Sequence, residues 1–161
     1  MQFKYIRLGP NTYQLTASYM FDASSFGVVG HSFNHYDSAL AKNGIVLLKQ
    51  GFTWDGPSGP AIDTPDLMRA SALHDFGYRS IRRLLLPVSM RRPFDMILRA
   101  VHGNDSGASD GIDLRGMELP WYSRAFHRAR NWWVWAAVRD FGAGSAEPGS
   151  EEEYVFGWDD E

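Results

Sequence analysis

The segment Ala72-Leu73-His74-Asp75-Phe76-Gly77-Tyr78-Arg79 sets an imidazole directly beside a carboxylate. On a helix, neighbouring residues are turned about 100° apart, so His74 and Asp75 face different surroundings and need not touch. One then serves a reacting group as proton acceptor while the other holds something beside it, such as a metal ion. A lone histidine on an apolar stripe is also the ordinary pattern of a hydrogen-bonded core residue, and the segment alone leaves both readings open. Upstream, Gly51-Phe52-Thr53-Trp54-Asp55-Gly56-Pro57-Ser58-Gly59-Pro60 runs from a strand end into a loop of three glycines and two prolines. Such a loop can turn its carbonyls toward one point. With the carboxylates of Asp55 and Asp75 it would offer the oxygen-rich shell a hard cation such as calcium prefers, Gly56 giving the backbone its freedom. The alternative is a tight surface turn. Downstream, Asp95 follows Met90-Arg91-Arg92-Pro93-Phe94 near the start of a second helix. There it either pairs with Arg91, Arg92 and Arg99 on the surface or crosses to His74, orienting the ring and stabilising its protonated form.

The elements that must position these groups follow from periodicity. Tyr13, Leu15, Ala17, Tyr19 and Phe21 alternate with Gln14, Thr16 and Ser18, the period of a half-buried strand, and Gly9-Pro10-Asn11 predicts a hairpin with the strand Phe3 to Leu8. Gly27 to Phe33 and Gly44 to Lys49 are further strand candidates. At Pro65 the period changes. Leu67, Ala70, Ser71, His74, Tyr78, Ile81 and Leu85 form one stripe, predicting a helix from about Asp66 to Arg82 with Thr64 as its N-cap. A second helix is expected from about Pro93 to Gly103, and a third, rich in Trp, Ala and Arg, from about Trp121 to Phe141. The fold class is α+β: N-terminal antiparallel strands, then a helical hairpin, then a Trp-rich helix. Residues 1–142 read as a single domain, strand-rich over 1–54 and helical over 55–142, with an acidic, aromatic tail over 143–161.

Composition narrows the classes. With 161 residues, 44% hydrophobic content and 6 Trp, 7 Tyr and 10 Phe, the chain has the material for a real core. No apolar run approaches the ~20 residues of a membrane-spanning helix. Zero cysteines exclude disulfides and thiolate chemistry, and Met1-Gln2-Phe3-Lys4-Tyr5 does not read as a signal peptide. The net charge of -3 conceals 7 acidic and no basic side chains in 143–161, which leaves 16 basic against 12 acidic groups, or +4, in the rest. So slight an excess argues against specific nucleic-acid binding. Such an acidic tail most often solvates itself or docks loosely on a basic surface, while Tyr154, Phe156 and Trp158 could bind as an added strand or anchor on a partner. His31 and His35 stand four apart but on strand-like sequence, where they do not form a metal pair. Trp132, Trp133 and Trp135 cannot share one face of a helix, so at least one meets a second surface.

Two resemblances rest on these residues. His74-Asp75-Phe76-Gly77-Tyr78-Arg79, after an Asp55-Gly56 loop and before a helix bearing Asp95, resembles the active-site helix of the phospholipase A2 superfamily, especially its bacterial and fungal branch. Over residues 50–142 the chain also resembles phage and prophage proteins of the family called domain of unknown function 1353. The matching elements are Gly51 to Ser58, His74 to Tyr78, Arg92 to Asp95, and Ala137-Val138-Arg139-Asp140-Phe141-Gly142. The first resemblance implies that His74 is a general base acting on water, Asp95 its orienting partner and Tyr78 a brace. It also implies that Asp55, Asp75 and the backbone at Gly56 hold calcium. The function expected is a phage-encoded, calcium-dependent lipid ester hydrolase of the virion or host cytoplasm, working at a phospholipid membrane surface. The alternative is a non-catalytic structural or accessory virion protein whose partners are other virion subunits. The chain departs from the secreted phospholipases in having no disulfides, and from the phage family in carrying Gly59-Pro60-Ala61 after the loop serine.

Overall fold

The computed structural model describes residues 2–56, 64–107, 117–118, 120–141 and 146–148. Antiparallel sheets come first and helices follow, an α+β arrangement. One sheet has three strands in the order β1 (Tyr5–Gly9), β2 (Thr12–Leu15), β7 (Thr53–Trp54). The other has four in the order β3 (Tyr19–Asp22), β6 (Ile45–Leu48), β5 (Ser38–Leu40), β4 (Phe33–Asn34). The alternation from Tyr13 to Phe21 therefore spans two strands in different sheets. Between them Thr16 N–H donates to the Lys4 carbonyl, and the Ser18 hydroxyl accepts the Gln50 N–H. The hairpin across Gly9-Pro10-Asn11 is present, with an irregular register between Arg7 and Gly9. Of the strand expected over Gly27 to Phe33 only its last residue is extended into a ladder, because Gly27 and Gly30 take left-handed φ of 84° and 85°.

Among the described residues three α-helices follow: α1 (Pro65–Arg82), α2 (Arg91–Asp105) and α3 (Trp121–Phe141). Thr64 occupies the N-cap position of α1 in extended geometry but its side chain makes no capping bond; the hydroxyl accepts from Arg130 on α3 instead. Leu84, a non-glycine residue with a left-handed φ (60°), follows the end of α1 and turns the chain back toward α2. A 3-10 turn at Val88–Met90 leads into α2 at Arg91, two residues before the expected Pro93. Proline at the third position costs nothing there, since the first N–H groups of a helix have no intrahelical acceptor.

The α1–α2 contact is tight. Gly77 lies under the ring of the fully buried Phe94, so close that a Cβ on it would fall 2.1 Å from Phe94 Cγ. Phe76 meets the same ring edge-on with centroids 5.7 Å apart. Trp54, 1% exposed, fastens β7 to α1 by donating its indole N–H to Ser71 Oγ at 3.1 Å. On α3, Trp121, Tyr122, Phe126, Trp132 and Trp133 share an exposed face, while Val134 is buried and Trp135 turns toward α2.

Asp66 ties the three helices together at one end. Arg130 donates to it at 2.9 Å, and Nε2 of the buried His102 lies 3.3 Å away without hydrogen-bond geometry. Burial alone would raise the Asp66 carboxyl, but His102, Thr64 and Arg130 together hold it well below the usual carboxylate range. An aspartate in the unfolded chain titrates near ~3.9. The stabilisation is therefore complete above that value and is lost as the pH falls through it toward the folded pKa. Asp66→Asn is expected to cost roughly 1–3 kcal/mol at neutral pH, and urea unfolding should show the gap to wild type shrinking steadily at acid pH.

Candidate functional site

His74 sits in the third turn of α1 and Asp95 in the second turn of α2, and the close helix approach at Gly77 and Phe94 brings them face to face. His74 Nε2 lies 3.1 Å from Asp95 Oδ1. Tyr78, one turn after His74, donates its hydroxyl to the same oxygen at 2.8 Å, and its ring packs on the imidazole with centroids 4.0 Å apart. Arg91 Nε in turn donates to the Tyr78 hydroxyl at 2.9 Å. The Asp95 carboxylate is 7% exposed and the His74 side chain 14%. The Asp95 carboxylate is thus buried and held by His74 and Tyr78.

Hydrogen-bond partners set the donor and acceptor roles. Burial and the adjacent Asp95 hold the Tyr78 phenol well above its ordinary range against the opposing influence of Arg91, so it stays a donor. With Asp95 as the hydrogen-bond acceptor, the imidazole N–H lies on Nε2 and the Nδ1 lone pair is left as a base. Among the described residues Nδ1 has no hydrogen-bond partner. Ser71, three residues before His74 on the helix, is committed: it gives its proton to the Met68 carbonyl and accepts from Trp54. The arrangement therefore suits activation of water more than of a serine nucleophile.

The residues expected to hold calcium are placed differently from a metal shell. Asp75 Oδ2 accepts from Arg79 at 2.8 Å, and Arg82 stands 4.0 Å from Oδ1. Arg79 is itself fixed by the Thr53 carbonyl at 2.8 Å, by Asp37 at 3.3 Å and by the face of Phe52. Burial pushes the Asp75 carboxyl up and the negative charge of Asp55 adds to this, while Arg79, Arg82 and His74 oppose it. Asp55 is exposed, and Gly56 is buried with φ 72°. Residues 57–63, the rest of the loop, lie outside the described residues. Among those described, no group of three or more metal-ligating side chains converges, and the two guanidinium groups beside Asp75 occupy the electrostatic place of a cation. Among the described residues the donors are two carboxylates, Asp55 and Asp75, the second held by Arg79, and the further loop carbonyls expected beside them belong to 57–63.

Sequence reasoning passed over the cluster behind Asp75. Asp37 is buried and accepts from Ser38 at 2.8 Å, with His35 at 3.1 Å and Arg83 at 3.6 Å from its oxygens. Burial would raise its carboxyl, but Ser38, His35, Arg83 and Arg79 carry it below the ordinary range. His35 is thus part of an ion cluster, apart from His31. The i,i+4 spacing of Asp75 and Arg79 signals their pairing; nothing local signals Asp37. The aromatic tail beyond 148 and the loop at 108–116 lie outside the described residues.

No helix among the described residues is long and apolar enough to cross a membrane. Comparison with protein-family models, with curated proteins and with solved structures gives no match to this chain.

Proposed function

We propose that the chain is a hydrolase that uses His74 to activate water against an ester, with a phospholipid as substrate class. The observation that carries the reading is His74 held through Nε2 by a buried Asp95, with Nδ1 unengaged among the described residues. Nδ1 takes a proton from water as the water oxygen bonds to the ester carbonyl carbon; the imidazolium then returns that proton to the departing alkoxide. Asp95 stabilises the imidazolium between these steps, and Tyr78 keeps the carboxylate aimed. The phospholipid class, and an origin in phage, come from the resemblance of the His74–Tyr78 run and its flanking loop and helix to the families above.

A second reading is a non-catalytic virion component. It is favoured by the exposed aromatic face of α3, whose Trp121 is 81% exposed and Phe126 65%, a surface suited to a protein neighbour.

The test is fatty-acid release from mixed phospholipid vesicles, with calcium and with chelator. His74→Ala is expected to lower the rate about 10²–10⁴-fold, the usual worth of a general base, and Asp95→Asn to lower it while the protein keeps its circular dichroism. With Arg79 on Asp75, chelator should leave the rate unchanged; a chelator-sensitive rate would instead place calcium at Asp55 and Asp75. Equal release by wild type and His74→Ala across lipids and pH would sink the hydrolase reading in favour of the virion component.

A further inference from the structure

A groove of about 490 Å³ lies between the start of α2 and the side of α3, with Asp95 in its lining. Among the described residues three guanidinium groups line it, those of Arg91, Arg92 and Arg99, against one carboxylate, that of Asp95, which is already engaged by His74 and Tyr78. Arg92 and Arg99 are exposed, and no carboxylate pairs with either among the described residues. Arg99 is held in place over the Trp135 ring, 4.9 Å from its centroid, and Arg91 by its bond to Tyr78.

The position of these cations is unfavourable for the helix. Arg91 and Arg92 occupy the first turn of α2, which has no acidic residue, so two positive charges meet the positive end of the helix dipole. Negative groups are the stabilising choice there. A local conflict of this kind is relieved when an anion arrives. The remaining walls are apolar: Val88 is 57% exposed and Met96 46%, with Trp135 closing the α3 side.

From these features we infer that the groove is a binding site for a phosphate-type oxyanion carrying an apolar group, the oxyanion seated between Arg92, Arg99 and the α2 start and the apolar part lying on Val88, Met96 and Trp135. Bidentate guanidinium contacts suit such an oxyanion. The groove shares Asp95 with the hydrolytic site proposed above, but its occupancy is measured by binding and does not depend on that activity. It nevertheless touches the catalytic chain, because Arg91 bonds to the hydroxyl that supports Asp95.

Calorimetric titration of the full chain with inorganic phosphate and with monomeric hexyl phosphate tests this directly. Hexyl phosphate is expected to bind more tightly than inorganic phosphate, and the double variant Arg92→Gln/Arg99→Gln to weaken hexyl phosphate by at least about tenfold. Met96→Glu, at an exposed position, should weaken it independently by setting a carboxylate against the ligand. Flotation with phosphatidylcholine vesicles, with and without phosphatidylglycerol, separates the sources. Binding that needs phosphatidylglycerol and is lost in the double variant identifies a bilayer headgroup, whereas binding of hexyl phosphate alone identifies a soluble amphiphile; either supports the site. The inference is overturned if nothing binds, if hexyl phosphate is no tighter than inorganic phosphate, or if the folded double variant binds as wild type does.

Discussion

Gly77→Ala is expected to destabilise the protein by on the order of 3 kcal/mol, although the same exchange in an exposed helix would stabilise it by up to ~1 kcal/mol through helix propensity. The sign is set by contact distance. The new methyl carbon would stand 2.1, 2.3 and 2.5 Å from Phe94 Cγ, Cδ2 and Cδ1, well inside van der Waals contact. The ring cannot swing aside into solvent, for Phe94 is fully buried and Phe76 is packed against it. The helices must therefore separate or slide, and either motion carries Asp95, next in sequence to Phe94, away from His74. Urea unfolding measures the first effect and the vesicle assay the second. Phe94→Leu in the same chain should return part of the loss, so that the double variant is more stable than the two single costs would add to. Wild-type stability in Gly77→Ala would show that the helices approach less closely than described.

Arg79→Leu carries the second large effect. Arg79 serves Asp37, Asp75 and the Thr53 carbonyl at once and lies over Phe52. Removing it leaves a buried and a half-buried carboxylate short of a counter-charge, a change that costs roughly 3–5 kcal/mol when the partner is lost from a buried pair. Asp75, already pushed up by burial, loses a cation that opposes the shift, so its proton is held still more firmly. A group with a raised folded pKa favours the folded state when protonated, and the variant should regain stability relative to wild type as the pH falls through the carboxylate range. Calcium offers an independent readout. With Arg79 gone, Asp75 and Asp55 become the nearest thing to a cation site, so millimolar calcium should raise the melting temperature of the variant and leave wild type unmoved. A calcium-induced rise in wild type would show that the ion displaces Arg79 from Asp75.

The helices were more legible than the strands, for a physical reason. Pro65 and the stripe from Leu67 to Ile81 mark α1 because a helix writes both its start and its buried face into consecutive residues. Between Tyr13 and Phe21 the alternation runs straight through a change of sheet, since each strand buries alternate residues whichever sheet it joins. At α2, Pro93 is a credible first helical residue by its fixed φ, yet the 3-10 turn before it carries the helix back to Arg91. The pairing of His74 with Asp95 was one of two readings for each residue. What decides the geometry is Gly77, whose missing side chain sets the distance between helices. Asp37, by contrast, comes from a short connection between two strands and is recruited by Arg79 and Arg83 across more than 40 residues of sequence. Contacts of that kind leave no periodic trace.

Among the described residues tryptophan occupies two contrasting optical environments, core and exposed surface. Trp54 is sealed in the core at 1% exposure with its indole N–H bonded to Ser71, whereas Trp121, Trp132 and Trp133 on α3 are 81%, 56% and 48% exposed. Sealed indoles emit toward the blue and are shielded from a soluble quencher; exposed ones emit toward the red and are quenched readily. A partner covering α3 would shift and protect the red emission while leaving the blue untouched, and loosening of β7 from α1 would do the reverse. Fluorescence can thus tell coverage of the surface from loss of the core without any label.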